Sequence, residues 1–133
     1  MSKEGAFLPI LLKRVYDPEG IETGHRVLVD RLWPRGIRKD SLQIEAWLKE
    51  LAPSTKLRLW YNHTPDKWIE FKQRYFAELE PKLEFWQPLL QTAKKGTIIL
   101  LYSSRETKLN NAAALKEFLE KKIIIKPPKG KKS

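Results

Sequence analysis

Four arginines in this chain stand where a predicted strand or helix gives way to a loop. Arg14 lies in "LLKRVYD", Arg31 and Arg35 in "VDRLWPRG", and Arg58 in "TKLRLWYNH". A guanidinium is a planar fork of donors that grips carboxylate or phosphate oxygens two at a time. Trp33 and Trp60 lie close to three of these arginines and offer flat faces to a ring or a cation. Tyr102 in "LLYSS" and Asn110 in "KLNNAA" add neutral hydrogen-bonding groups. Together the eight residues describe a site for an anionic ligand that bears phosphate or carboxylate, nucleotides included.

The same residues also fit a purely structural role. Asp30 can pair with Arg31 or Arg35, Asp17 can pair with Arg14, and an arginine can lie flat on Trp33 as a packing device. His63, just before a helix start, is the one candidate acid/base. It gives a second reading, a hydrolase or transferase acting on a phosphorylated substrate. No nucleophile motif supports that reading: Ser54 and Ser103-Ser104 lack a G-x-S-x-G setting and fit helix capping better. Neither a P-loop nor a G-x-G-x-x-G occurs. His25 reads as a solvated turn residue. Two histidines without any cysteine make no metal site, so no metal or cofactor is expected.

In an open α/β sheet, ligands gather beyond the carboxyl ends of the strands. The elements must therefore bring Arg14, Arg31, Arg35 and Tyr102 to strand ends on one edge. Phe7 to Tyr16 reads as a first strand and Arg26 to Leu32 as a second. Their short connection favours an antiparallel pair. Ile44, Trp47, Leu48 and Leu51 fall at helical spacing after a cap at Asp40 or Ser41. Ser54 can cap a short helix. Thr64-Pro65-Asp66 opens a longer one, with Trp68, Phe71, Tyr75 and Leu79 as its core stripe. Pro81 starts another helix, which Pro88 should kink or restart. "TIILLY", Thr97 to Tyr102, is a buried strand, and Ala112, Leu115, Phe118 and Leu119 mark a last helix. Asn110 or Asn111 can cap that helix, leaving the other to bond a ligand or a second loop. Ile123 to Lys126 can form a short final strand.

These elements predict an α/β fold: one compact domain over residues 1–122, with a small mixed sheet of about four strands flanked by four to five helices. Residues 123–133 then hold the short strand and a basic tail, "KPPKGKKS", expected to be disordered. A length of 133 residues suits one domain, and an apolar fraction of 41% suits a packed core. The absence of cysteine excludes disulfides and thiol chemistry and suits a reducing compartment. No apolar run approaches the roughly 20 residues a membrane helix needs. Glu4 and Pro9 argue against a secretion signal. A cytoplasmic location, with no membrane partner, is the expectation. The net charge is +10, and six of the 26 basic residues follow Glu120. That basic surface and tail give a third reading, nucleic-acid binding.

The segments "KRVYDPEG", "HRVLVDRLWPRGIRK", "WLKELAPSTKLRLWYNH", "WIEFKQRYFAEL" and "LLYSSRETKLNNAAALKEFL" resemble, in that order, the YeaO-like branch of the domain-of-unknown-function 488 family. The resemblance runs from Ile10 to Leu119. It implies a compact bacterial-type cytoplasmic α/β domain and no assigned substrate. The family pattern falls on Arg14, Arg31, Trp33, Pro34, Arg35, Gly36, Lys39, Trp47, Pro53, Ser54, Arg58, Trp60, His63, Trp68, Tyr102 and Asn110. Two positions depart from the branch: Glu106 stands where it shows aspartate, and Leu109 where it shows histidine. More distant relatives carry a cysteine-histidine-arginine cluster in this loop, where the chain reads Leu109-Asn110-Asn111. If this loop is catalytic in those relatives, the departures count against catalysis here, and anion binding survives them better.

Overall fold

The computed structural model describes residues 10–17 and 23–125. Four strands form one sheet: β1 (Ile10–Arg14), β2 (His25–Leu28), β3 (Ala46–Trp47) and β4 (Ile98–Tyr102). Their order across the sheet is β1-β4-β2-β3, and every pairing is parallel. β4 is the axis of the sheet. All five of its residues are buried, as its uninterrupted apolar run requires. Phe7 to Pro9, the expected start of β1, fall outside the described residues.

The sheet is therefore parallel throughout, not mixed, and β1 does not pair with β2. Both strands flank β4 and run with it. A short connection does not forbid this. Residues 15–24 can span about 33 Å when extended, roughly twice the length of a five-residue strand. The chain can thus return along β1 and enter β2 in the same direction without a helix. Close packing marks that entry: a Cβ on Gly24 would sit 2.6 Å from the Thr97 carbonyl oxygen. His25 belongs to β2 rather than to a turn, and its amide donates to the Thr97 carbonyl (2.8 Å).

Four α-helices cover one face: α1 (Thr55–Tyr61), α2 (Trp68–Leu79), α3 (Leu83–Ala93) and α4 (Asn111–Ile125). Ile10, Val27, Ile98 and Leu100 of the sheet meet Phe71, Tyr75, Leu79, Trp86, Leu115 and Phe118 there. The stripe read on α2 is core, with Phe71, Tyr75 and Leu79 buried. Ser54 caps α1 through its hydroxyl, which accepts from the Leu57 amide (3.1 Å). Glu78 on α2 in turn accepts from the Ser54 hydroxyl (2.6 Å) and amide (2.9 Å), fixing the α1 start to α2. Short 3-10 turns at Pro65–Lys67 and Glu80–Lys82 lead into α2 and α3, and α3 runs on through Pro88.

Among the described residues, the opposite face has no helix. Leu28, Ile99 and Leu101 are sealed there by Val15, Trp33, Leu42, Ile44 and Trp47. This overturns the helix expected from Ile44 to Leu51. The spacing is helical, but the four residues serve two layers. Ile44 and Trp47 close the helix-free face, while Leu48 and Leu51 join the main core. Ala46 and Trp47 pair with β2 instead, and Lys49–Leu51 make one 3-10 turn. The short strand expected from Ile123 to Lys126 is also absent. Ile123 to Ile125 continue α4, because the Phe118 and Leu119 stripe carries on to Ile123 against the core. Lys126 to Ser133 lie outside the described residues.

Candidate binding site at the carboxyl rim of the sheet

Parallel pairing sets the carboxyl ends of the strands on one edge. Arg14 is the register partner of Tyr102, and Leu28 of Leu101. The edge beyond them is built by three loops. Asp30 is the clasp. Its Oδ2 accepts from the Ser103 hydroxyl (2.6 Å) and amide (2.9 Å), and its Oδ1 from the Asn111 side-chain amide (3.2 Å). Its backbone carbonyl accepts from the Trp47 indole (2.8 Å). The same Asn111 amide reaches the Val29 carbonyl (3.1 Å). The Asn110-Asn111 pair thus divides as its setting demands. Asn110 caps α4, its Oδ1 accepting from the Ala113 amide (2.8 Å), while Asn111 ties that helix start to the β2 loop.

Asn110 is buried at 3% exposure, the one buried polar residue among those described. Its amide donates to the Glu106 carbonyl (2.7 Å), and its side chain lies near enough to the Tyr102 phenol to act on its titration. Burial pushes that phenol above its ordinary range, and Asp17 adds to the push. Arg14 and Asn110 pull against it. Beside them the Arg14 Nε donates to the Ser104 carbonyl (2.9 Å). Its guanidinium lies 4.8 Å from the centre of the Tyr16 ring. The nearest carboxylate, Asp17, stands 3.8 Å away, beyond hydrogen-bond range. Tyr16 donates to the Arg35 carbonyl (2.6 Å), which brings the β2 loop against the end of β1.

The loop from β4 to α4 holds its own carboxylate. Glu106 Oε2 accepts from the Lys108 (2.9 Å) and Leu109 (3.0 Å) amides. These bonds, from Leu109 first and then Lys108, hold the carboxyl below its usual range, and His63 adds to the effect. His63 faces this loop from the end of α1. It and Asn62 both adopt left-handed backbone, φ 51° and 44°, rare outside glycine. The Tyr61 phenol donates to the Leu109 carbonyl (3.0 Å), docking α1 onto the same loop.

Of the eight binding residues expected, contacts join Arg14, Tyr102 and Asn110, with Arg35 reached through Tyr16. The others lie elsewhere. Trp33 is half-buried on the helix-free face, edge-on to Trp47 (5.4 Å), with its indole donating to the Ile37 carbonyl (2.6 Å). Arg31 is exposed and lines a shallow depression with Leu32, Lys49 and Glu50. Trp60 on α1 carries Arg74 (4.1 Å) and Lys67 (4.9 Å) against its ring. Arg58 is exposed on the same helix. Sequence reasoning sets Tyr16, Asp30 and Ser103 at strand ends but misses their part in building the rim, and it misses Glu106 there. Their signal is a place a few positions beyond a strand end. Among the described residues, no cluster of His, Cys, Asp or Glu could hold a metal. No helix there is long and apolar enough to cross a membrane.

A four-stranded parallel sheet, helices on one face and a polar carboxyl rim define an α/β domain. Residues 9–132 match the DUF488-N3i family, described as "Inactive DUF488-N3 subclade", and the chain belongs to that family. It is 43% identical over 110 residues to the uncharacterized protein YeaO of Escherichia coli K12, covering 83% of this chain and 96% of that one. It is 36% identical over 110 residues to the uncharacterized proteins Rv3073c of Mycobacterium tuberculosis and Mb3100c of Mycobacterium bovis, covering 83% of this chain and 92% of each. No solved structure matches the chain at a significant level.

Proposed function

We propose that the protein binds a small phosphate- or carboxylate-bearing ligand at the carboxyl rim and does not turn it over. One observation carries this reading. The Arg14 guanidinium stands in register beside Tyr102 at the end of a parallel sheet, with its Nε donating to the Ser104 carbonyl and, among the described residues, only a loose 3.8 Å ion pair to the exposed Asp17. Its remaining donors are available to an oxyanion. Tyr102, held protonated by burial, and the α4 start capped by Asn110 supply the neutral side of the site. Arg35, whose backbone carbonyl accepts from Tyr16, is exposed in the adjoining loop and would add a second cation there. Arg31, Arg58, Trp33 and Trp60 belong to an outer shell that adds positive field and apolar surface.

Binding without turnover fits three features. The family description is of an inactive subclade. The Ser103 hydroxyl donates to the Asp30 carboxylate, which also holds the Ser103 amide and the Asn111 side chain, so this bond serves the clasp between loops. His63 acts electrostatically on the Glu106 carboxylate, a loop group. The test is a thermal-shift series with inorganic phosphate and adenosine monophosphate. The unaltered protein should show a saturating rise in melting temperature. Arg14→Gln should lose it, and the exposed Arg35→Gln should lose part of it while folding normally. Equal shifts in all three proteins would remove the proposal.

A further inference from the structure

We propose that the helix-free side of the molecule, around the segment from Arg31 to Lys49, docks single-stranded nucleic acid. This surface is separate from the small-anion site at the rim. Four cations define it. The Lys39 ammonium lies 5.8 Å from the Trp33 ring centre and 5.7 Å from that of Trp47. Lys49 lies 4.9 Å from the Trp47 ring centre. Lys49 and Arg31 line one shallow depression, and the Lys82 ammonium reaches the same place by donating to the Glu50 carbonyl (2.8 Å). Indole faces and a backbone carbonyl thus position these groups.

No ion pair engages the four among the described residues. The nearby acids are mostly committed. Asp40 holds Arg38 (2.9 Å), and Glu45 accepts from the Arg26 amide (2.7 Å). Glu50 alone lines the depression. Cations outnumber acids on this surface, with Glu45 and Glu50 retaining their charge, in a chain of net charge +10.

The shape and chemistry of the surface select the partner. The depression is open and shallow, unlike the enclosed pocket that a small ligand needs. A chain lying across it could meet successive cations. Leu32, 67% exposed beside Arg31, and the half-buried indoles interleave apolar surface with the charges. A phosphodiester strand offers both halves of the match, a negative charge at every unit and flat bases between charges. An acidic peptide offers only the first.

The test uses fluorescence anisotropy of a labelled thymidylate dodecamer with the full-length chain over a salt series. The Lys39→Gln/Lys49→Gln double variant should bind at least tenfold more weakly at low salt. Its slope of log K against log salt should flatten by about 0.7 for each phosphate that the protein no longer neutralises. A chain with Lys126, Lys129, Lys131 and Lys132 all changed to Gln should keep the specific slope change. Arg14→Gln, which abolishes the rim site, should bind the dodecamer as the unaltered protein does. The proposal is overturned if the tail variant loses all binding while the double variant keeps it. It is equally overturned if polyglutamate of matched length binds as tightly, or if Arg14→Gln removes dodecamer binding.

Discussion

Asp30 is the residue on which the rim geometry depends most. One half-buried carboxylate organises a hydroxyl, a backbone amide and a side-chain amide drawn from the two ends of the β4–α4 connection. Asp30→Ala leaves all three donors without their acceptor. It should cost about 2–3 kcal/mol in denaturant unfolding, and Asp30→Asn less, because the amide keeps one acceptor oxygen. Asn110→Ala should cost about 1–2 kcal/mol by removing the α4 cap and a buried amide. Titration gives a further expectation. Burial raises the folded phenol pKa of Tyr61, Tyr75 and Tyr102. The native state then keeps protons that the unfolded chain sheds, so these phenols contribute stability that falls as pH rises beyond about 10. The opposite sign holds for Glu106 and Glu117, whose folded pKa values are lowered. Glu106 is lowered by the Leu109 and Lys108 amides; for Glu117, burial opposes the lowering and the Lys72 and Lys121 ammoniums overcome it. Their contribution is present above the unfolded carboxyl pKa and lost as pH falls through the folded one. Urea midpoints measured across pH should fall at both ends, and Glu117→Gln should flatten the acid limb.

At the scale of elements, the sequence was legible where one periodicity served one surface. The α2 stripe and the β4 run each face a single layer, so spacing and burial agree. Between Ile44 and Leu51 the chain crosses from one face of the sheet to the other. Its apolar residues then reflect two cores, and their helical spacing misleads. The β1 to β2 connection misleads for a different reason. Brevity suggests a hairpin, yet β4, which arrives some seventy residues later in the chain, occupies the place between them. Local sequence carries no record of that insertion. Gly24 is its physical trace, since the chain passes too close to Thr97 for a side chain. Gly24→Ala should therefore destabilise the protein by roughly 1–3 kcal/mol, whereas Gly36→Ala, whose Cβ would meet nothing within 4 Å, should cost only the strain of its φ of 82°. Thermal melts of the two variants make the comparison. The rim was legible only in part. Arg14, Tyr102 and Asn110 could be found from strand ends and caps. Which of the other arginines joined them depended on where the β2 loop travels.

At the scale of the molecule, the two faces divide the work. Helices close one side of the sheet and carry most of the core. The segment after β2, which includes β3, closes the other together with Val15 and brings its cations to the surface on indole supports. The rim lies where the two coverings meet. A protein built this way can present an inner site for one anion and an outer surface for a longer one without a nucleophile or a metal. Raising ionic strength should weaken the outer surface steeply and the inner site less, because Arg14 is largely shielded from solvent while the outer cations are exposed. Anisotropy and calorimetry at matched salt concentrations separate the two.

The most direct measurement is a phosphate titration followed by nitrogen-15 correlation spectra that include arginine Nε and asparagine side-chain signals. Saturable shifts at the Arg14 Nε–H, the Asn110 amide and the Ser103 and Ser104 backbone are the predicted result. Shifts that grow linearly without saturation, or that are confined to the lysines after Glu120, would contradict a binding site at the end of this sheet.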